Sequence, residues 1–181
     1  MLQYIRIWAG TIKLGLSCKE KEEKRMRVFP LFVSVENKKI LVVGAGKIAA
    51  RRIKALLSFE ADLVVVAPEI RQECCFCAEE KRVHVIHREY QSQDMEGAFL
   101  VLACSNRADV NEQVCADAKK LGILVNRCDK KEDCDFYFPG IALKGDVVAG
   151  ISAGGNDHAL AKKAAEKVRD LFERELKERE D

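Results

Sequence analysis

Three sets of residues in this chain have the types and spacing to do chemistry. The first is Gly44-Ala45-Gly46-Lys47-Ile48-Ala49, a Gly-x-Gly-x-x-Ala turn. In such a turn the first glycine permits a tight bend and the second lets the main chain approach a pyrophosphate. The small third residue lets a helix pack closely on a strand. The second set is Asn126-Arg127-Cys128-Asp129. Its carboxylate, Asp129, can take a proton as a hydride leaves a neighbouring carbon, or it can simply open a turn or cap a helix. The third is Ser152-Ala153-Gly154-Gly155-Asn156-Asp157-His158. Ser152 and the glycines can present main-chain N–H groups to a carboxylate or phosphate, with His158 opening a helix beside them. A flexible turn and a solvent-facing histidine are the alternatives there.

Other reactive residue types point less far. Cys74, Cys75 and Cys77 lie close together, but no paired Cys-x-x-Cys spacing accompanies them. With Ile70 and Ala78, Cys74 and Cys77 make an apolar stripe of an expected helix from Ile70 to Lys81, so they read as buried hydrophobes and no metal is expected. His84 and His87 fall on or beside a strand away from the glycine turn. No Ser/His/Asp or Cys/His set forms a nucleophilic triad.

The elements that must position these residues alternate. Ile40-Leu41-Val42-Val43 suits a strand buried on both faces, and it runs into the glycine turn. Ile48, Ala49, Ile53, Leu56 and Leu57 then recur at helical spacing, with Arg51, Arg52 and Lys54 on the other faces. Further strands are expected at Leu63–Ala67, Val83–His87, Phe99–Ala103 and Ile123–Asn126. A helix from Arg107 to Leu121 carries Val110, Val114, Ala118 and Leu121, and Gly122 closes it. This alternation predicts an α/β fold, a Rossmann-like doubly wound parallel sheet. Ligands on such sheets bind beyond the carboxyl ends of the strands. The rule selects Gly44, Ala45, Gly46, Lys47 and Ile48, then Pro68 and Glu69, then Cys104, Ser105 and Asn106 for a dinucleotide cofactor. Glu69 falls slightly late for a ribose carboxylate, which leaves NAD and NADP both open.

After residue 135 the pattern changes. Phe136–Leu143 and Val147–Ser152 read as a hairpin, followed by a helix with Leu160, Ala164, Val168, Leu171 and Phe172 on one face. Residues 136–181 therefore read as a dimerisation and substrate region after a nucleotide-binding domain at 26–135. So apolar a hairpin left uncovered would be a sticky edge, which favours a homodimer. Residues 1–25, ending in a charge run, read as an extension; their helix-like apolar residues Ile5, Trp8, Ile12 and Leu16 are an alternative docking face. The 181 residues carry a net charge of +2, with 48% hydrophobic and 33% charged residues. That balance gives no reason to expect nucleic acid or membrane partners. No signal peptide is legible, and a cytoplasmic location is expected.

Several stretches together resemble one family: Phe29-Pro30-Leu31-Phe32, the glycine turn, Val65-Val66-Ala67-Pro68-Glu69, Gly97–Val101, Val125-Asn126 with Asp129, Phe136-Tyr137-Phe138-Pro139, and Ile151-Ser152-Ala153-Gly154-Gly155. They are similar to the precorrin-2 dehydrogenase family, which also forms the N-terminal module of siroheme synthase and in some members is the sirohydrochlorin ferrochelatase. The resemblance implies NAD-dependent oxidation of precorrin-2 to sirohydrochlorin, with Asp129 matching the catalytic aspartate. It also implies a homodimer whose substrate cleft is shared. By their positions, Asn126, Arg127, Ser152, Gly154, Gly155 and His158 are expected at the tetrapyrrole. Arg127, Lys130, Lys131 and Lys144 are candidates, by position, to meet the substrate's carboxylates. Asn156-Asp157-His158 departs from the family's usual Thr-Ser-Pro, and the fused methyltransferase domain is missing. Many members of the family continue into a further helical segment after the helix expected to end here near Glu173, so oxidation is expected ahead of metal insertion. A non-catalytic sensor of nucleotide or tetrapyrrole, working through its dimer interface, is the rival reading.

Overall fold

The computed structural model describes residues 6–7, 10–11, 28–154 and 157–175. Arg6–Ile7 pairs antiparallel with Gly10–Thr11; the helix-like spacing of Ile5, Trp8, Ile12 and Leu16 lies outside the described residues. Five parallel strands form the centre: β1 (Lys39–Val43), β2 (Asp62–Val66), β3 (Val83–Ile86), β4 (Leu100–Ala103) and β5 (Leu124–Arg127). Their order across the sheet is β3-β2-β1-β4-β5. The chain thus winds outward from β1 in both directions, and the switch point lies between β1 and β4. Ile40, Leu41, Val42 and Val43 are at most 2% exposed. Their alternation sends Ile40 and Val42 to one core and Leu41 and Val43 to the other. Each such burial stabilises the fold by about 2 kcal/mol, so this strand serves both cores.

Helix α1 (Lys47–Leu57) covers the first face and α2 (Ala108–Leu121) the second. The other two connections carry short 3₁₀ segments, Gln72–Ala78 and Ser92–Met95. The expected helix over Ile70–Lys81 is therefore not an α-helix. A three-residue turn buries Cys74 and Cys77 together and leaves Ala78 exposed. The Arg71 N–H, donated to the Ala45 carbonyl at 3.2 Å, ties the start of this run to the glycine turn. Helix α2 ends on Gly122 in the left-handed region at φ 68°, as a C-terminal glycine should. Its buried face is Asn111, Val114, Cys115 and Ala118, while Leu121 stands in solvent.

The hairpin is β6 (Gly140–Lys144) with β7 (Val147–Ile151), turning at Gly145-Asp146. Residues Phe136–Pro139 precede it instead of extending it. Asp135 exchanges two hydrogen bonds with the β5 edge, its N–H to the Val125 carbonyl (2.9 Å) and its carboxylate from the Val125 N–H (3.0 Å). Phe136 and Phe138 then pack on the core under α1. Side chains anchored there keep this stretch out of the hairpin ladder, and Pro139 has no N–H to contribute. Helix α3 (His158–Glu175) lies against β6 and β7 through Ala165, which is buried. A methyl at Gly140 would stand 3.0 Å from the Ala165 Cβ, so this contact is close. Leu160 and Leu171, expected on one apolar face of this helix, are exposed in the single chain.

Candidate functional site

The glycine turn is built as its sequence requires. Gly44 donates its N–H to the Val66 carbonyl at 2.8 Å and bends at φ 105°. A Cβ there would sit 2.5 Å from the Cys104 carbonyl oxygen, so β1 and the end of β4 meet only because Gly44 has no side chain. Gly46 precedes α1 with no side-chain cap, and no acidic residue occupies the first turn. The first N–H groups of α1 are consequently available to an anion. A Cβ on Gly46 would meet nothing within 4 Å; it would stand in open space.

Around this turn lies a cavity of about 360 Å³. All ten residues selected at the strand ends line it: Gly44, Ala45, Gly46, Lys47, Ile48, Pro68, Glu69, Cys104, Ser105 and Asn106. The uncapped helix start and the side-chain-free approach at Gly46 fit the diphosphate of a dinucleotide. Arg71 and Tyr90, which sequence reasoning did not select, also line it, as does Cys128.

Asn111 was missed as well, although its spacing with Val114, Cys115 and Ala118 places it on the buried face of α2. Its side chain holds Ser105 from both sides, accepting from the Ser105 N–H and donating to the Ser105 carbonyl, each at 3.0 Å. The same amide donates to Asp129 at 3.0 Å. Arg127 grips Asp129 with two nitrogens, Nε at 2.9 Å and Nη2 at 3.2 Å, and reaches Asp133 at 2.9 Å with Nη1. Partial burial works to raise the Asp129 carboxyl, but the Arg127 guanidinium and the Asn111 amide outweigh it, and the net shift is downward. Asp129 is an oriented, ionised carboxylate at the end of β5.

Of the expected substrate residues, Arg127 is bonded to Asp129. Arg127 is buried, with every guanidinium nitrogen engaged, so it positions Asp129 and is not presented to a ligand. Asn126 is also buried; its Nδ2 donates to the Phe136 carbonyl at 2.6 Å, and its Oδ1 has no partner among the described residues. Lys130 and Lys144 each meet a carboxylate, Asp133 and Glu173 respectively. Ser152 and Gly154 form a turn after β7, where the Gly154 N–H donates to the Ser152 hydroxyl at 3.2 Å. Gly155 lies outside the described residues, and His158 begins α3. Among the described residues, neither Asp129 nor Asn126, Arg127, Ser152 or Gly154 lines the cavity.

A second group missed from sequence lies at the inner wall. Arg52, expected on an outer face of α1, is 8% exposed because it shares the buried face with Ala49, Ile53 and Leu56. Its Nη1 donates to the Cys104 sulfur at 3.2 Å, its guanidinium lies 5.4 Å from the Phe138 ring centre, and its Nε has no hydrogen-bond partner among the described residues. Cys104 and Cys128 are neighbours across the ends of β4 and β5. The hydrogen bond from Cys104 holds the Cys128 thiol down to about 7 against the effect of burial, with Arg52 adding attraction; the same bond and burial push Cys104 up. Among the described residues, no three His, Cys, Asp or Glu side chains come together to hold a metal ion. No helix among them is long and apolar enough to cross a membrane.

Comparison with known proteins supplies the family. Residues 31–140 match the family described as "Putative NAD(P)-binding". The chain is 42% identical over 144 residues to a probable multifunctional siroheme biosynthesis protein HemA of Ruminiclostridium josui, covering 79% of this chain and 28% of that protein. It is 35% identical over 147 residues to siroheme synthase of Pseudoalteromonas translucida, covering 81% of this chain and 31% of that one. The chain thus spans less than a third of these two relatives. Against precorrin-2 dehydrogenase of Bacillus subtilis the identity is 33% over 146 residues, and the match takes in 81% of this chain and 90% of that enzyme. Among solved structures, SirC, a precorrin-2 dehydrogenase, superposes with a TM-score of 0.71 at 26% identity, covering 80% of this chain and 71% of that one. With its glycine turn, its five-stranded sheet and its hairpin and helix in the same order, this chain belongs to the NAD(P)-binding family of the precorrin-2 dehydrogenases.

Proposed function

We propose that the protein oxidises precorrin-2 to sirohydrochlorin with NAD. The observation that carries this reading is a cavity built around the glycine turn whose wall, Ser105, shares one side chain, Asn111, with the Asp129 carboxylate. The bound nicotinamide supplies the hydride acceptor. The chain's own part is to seat the diphosphate on the start of α1 and to hold Asp129 ionised and aimed. A carboxylate so held accepts the proton that leaves the tetrapyrrole and, with its lowered pKa, passes it on readily to water.

We assign the remaining side of the substrate site to a second copy of the chain. In support, Leu143 and Val147 of the hairpin and Leu160 and Leu171 of α3 are each more than 40% exposed on one small unit. Ser152, Gly154, Gly155 and His158 are then substrate residues completed across the pair. The cytoplasm is the proposed location, consistent with the seven free thiols among the described residues.

The test is turnover. Purified protein given precorrin-2 and NAD⁺ is expected to form NADH, and Asp129→Ala is expected to lower kcat by about a hundredfold while leaving nucleotide affinity within a few-fold. A wild-type protein that binds NAD⁺ and forms no NADH overturns the reading in favour of a sensor.

A further inference from the structure

The inner wall of the cavity contains chemistry that the proposed oxidation does not use. Ala103 and Arg127 are partners in the β4–β5 register, so Cys104 and Cys128 are the next cross-strand pair beyond the ladder. Neighbouring parallel strands lie about 4.8 Å apart, within the span a disulfide bridges. The two cysteines are neighbours across the strand ends, both line the cavity, and the buried Arg52 guanidinium stands against Cys104 with its Nε unpartnered among the described residues. A cation beside two neighbouring thiols favours a thiolate, and the cavity gives a small oxidant access to it.

We propose that Cys104 and Cys128 form an oxidisable dithiol, reached through the nucleotide cavity, that hydroperoxides convert to a disulfide when the nucleotide is absent. The Cys128 thiolate attacks the peroxide: an S–O bond forms, the O–O bond breaks, and the alcohol, or water from hydrogen peroxide, leaves with one proton. The Cys104 sulfur then attacks the Cys128 sulfenic acid. An S–S bond forms, the S–O bond breaks, and water leaves with the second thiol proton. Two thiols are oxidised and one peroxide is reduced. Cys74 and Cys77 lie in the same core cluster, but burial pushes both thiols up, Cys74 to about 12, which leaves that pair unreactive by comparison. The nucleotide shield rests on the cofactor reading; the dithiol itself does not.

The experiment treats the reduced full-length protein with one equivalent of hydrogen peroxide, blocks remaining thiols and digests with trypsin. The expected product links the peptide Glu89–Arg107 to Cys128–Lys130. Saturating NAD⁺ is expected to slow its formation at least tenfold. In Cys104→Ser the oxidation stops at a Cys128 sulfenic acid that dimedone traps. Absence of the linked peptide, or earlier linkage of Cys74 to Cys77, overturns the dithiol. An unchanged rate with NAD⁺ bound overturns the access route. Calorimetry of the reduced protein with NAD⁺, run in parallel, separates these results from failure of the cofactor reading itself.

Discussion

Between β1 and β5 the chain completes itself, whereas between β6 and α3 it does not. In the sheet, Ile40, Leu41, Val42, Leu63, Val65, Val101 and Leu102 are at most 1% exposed, and helices or 3₁₀ turns cover both faces. Among the described residues of the hairpin and α3, only Ala142 and Ala165 are comparably buried, while four larger apolar side chains face outward. The same chain therefore holds a cavity closed by its own strands and a hairpin-and-helix region that leaves apolar surface open. On the proposed reading, one protomer binds the oxidant and a second copy completes the seat of what is oxidised.

Four variants test that division. The largest effect is expected from Gly44→Val, which puts a branched side chain at φ 105° and 2.5 Å from the Cys104 carbonyl oxygen. A cost of about 3 kcal/mol or more in stability is expected, together with loss of NAD⁺ binding. Thermal melts and calorimetry read both, and a protein that still binds within tenfold shows that the two strands are not in forced contact. Next is the pair Leu160→Lys with Leu171→Lys on α3. Since both side chains are exposed within one protomer, the fold is expected to persist and NAD⁺ binding to stay within two-fold. Dimer dissociation is expected to rise about a hundredfold, as charges in an apolar interface cost several kcal/mol. Analytical ultracentrifugation decides it, and an unchanged dimer refutes this face as the interface.

Third, Asp94→Asn removes a carboxylate that is 4% exposed and accepts from Arg88 and from the Gln91 N–H. Burial alone raises the Asp94 pKa, but the Arg88 hydrogen bonds outweigh it and hold it below its ordinary value. A depressed folded-state pKa contributes stability that is present above the unfolded value, near 4, and is lost as pH falls through the folded one. The variant is expected to be about 2 kcal/mol less stable at pH 7, with the difference shrinking below about pH 4. Urea titrations at pH 7 and 3 test this, and a gap that does not shrink assigns the loss to packing. The smallest effect, about 1 kcal/mol, is expected from Gly122→Ala, which strains the left-handed end of α2 within the sheet domain. Dimer affinity should not move.

The sheet and the nucleotide cavity were legible because their signals are local. Ile40–Val43 is a continuous apolar run, and the Gly44-x-Gly46 turn specifies its own bend. Strand ends then located Pro68, Glu69 and Cys104–Asn106 at the cavity with no further information. The rest depended on contacts between distant positions. Arg52 reads as a surface residue until Cys104 and Phe138 close over it. Arg127 reads as a free cation until Asp129 and Asp133 occupy it. Phe136 and Phe138 have the alternation of a strand, yet packing on the α1 core overrides that propensity. Leu160 and Leu171 fit a helical stripe, but β6 and β7 are too narrow to cover it.

The single amide of Asn111 joins Ser105 in the nucleotide wall to Asp129 at the end of β5. Any nucleotide that displaces the Ser105 loop must carry the carboxylate with it or break a hydrogen bond. If the chain acts as proposed, that linkage predicts an order of addition in steady-state kinetics, with NAD⁺ entering first and the tetrapyrrole meeting a carboxylate already set. Product-inhibition patterns are expected to be those of an ordered mechanism in the wild type and of random addition in Asn111→Ala. Identical patterns in the two proteins would leave Asn111 as a fastener of the fold alone.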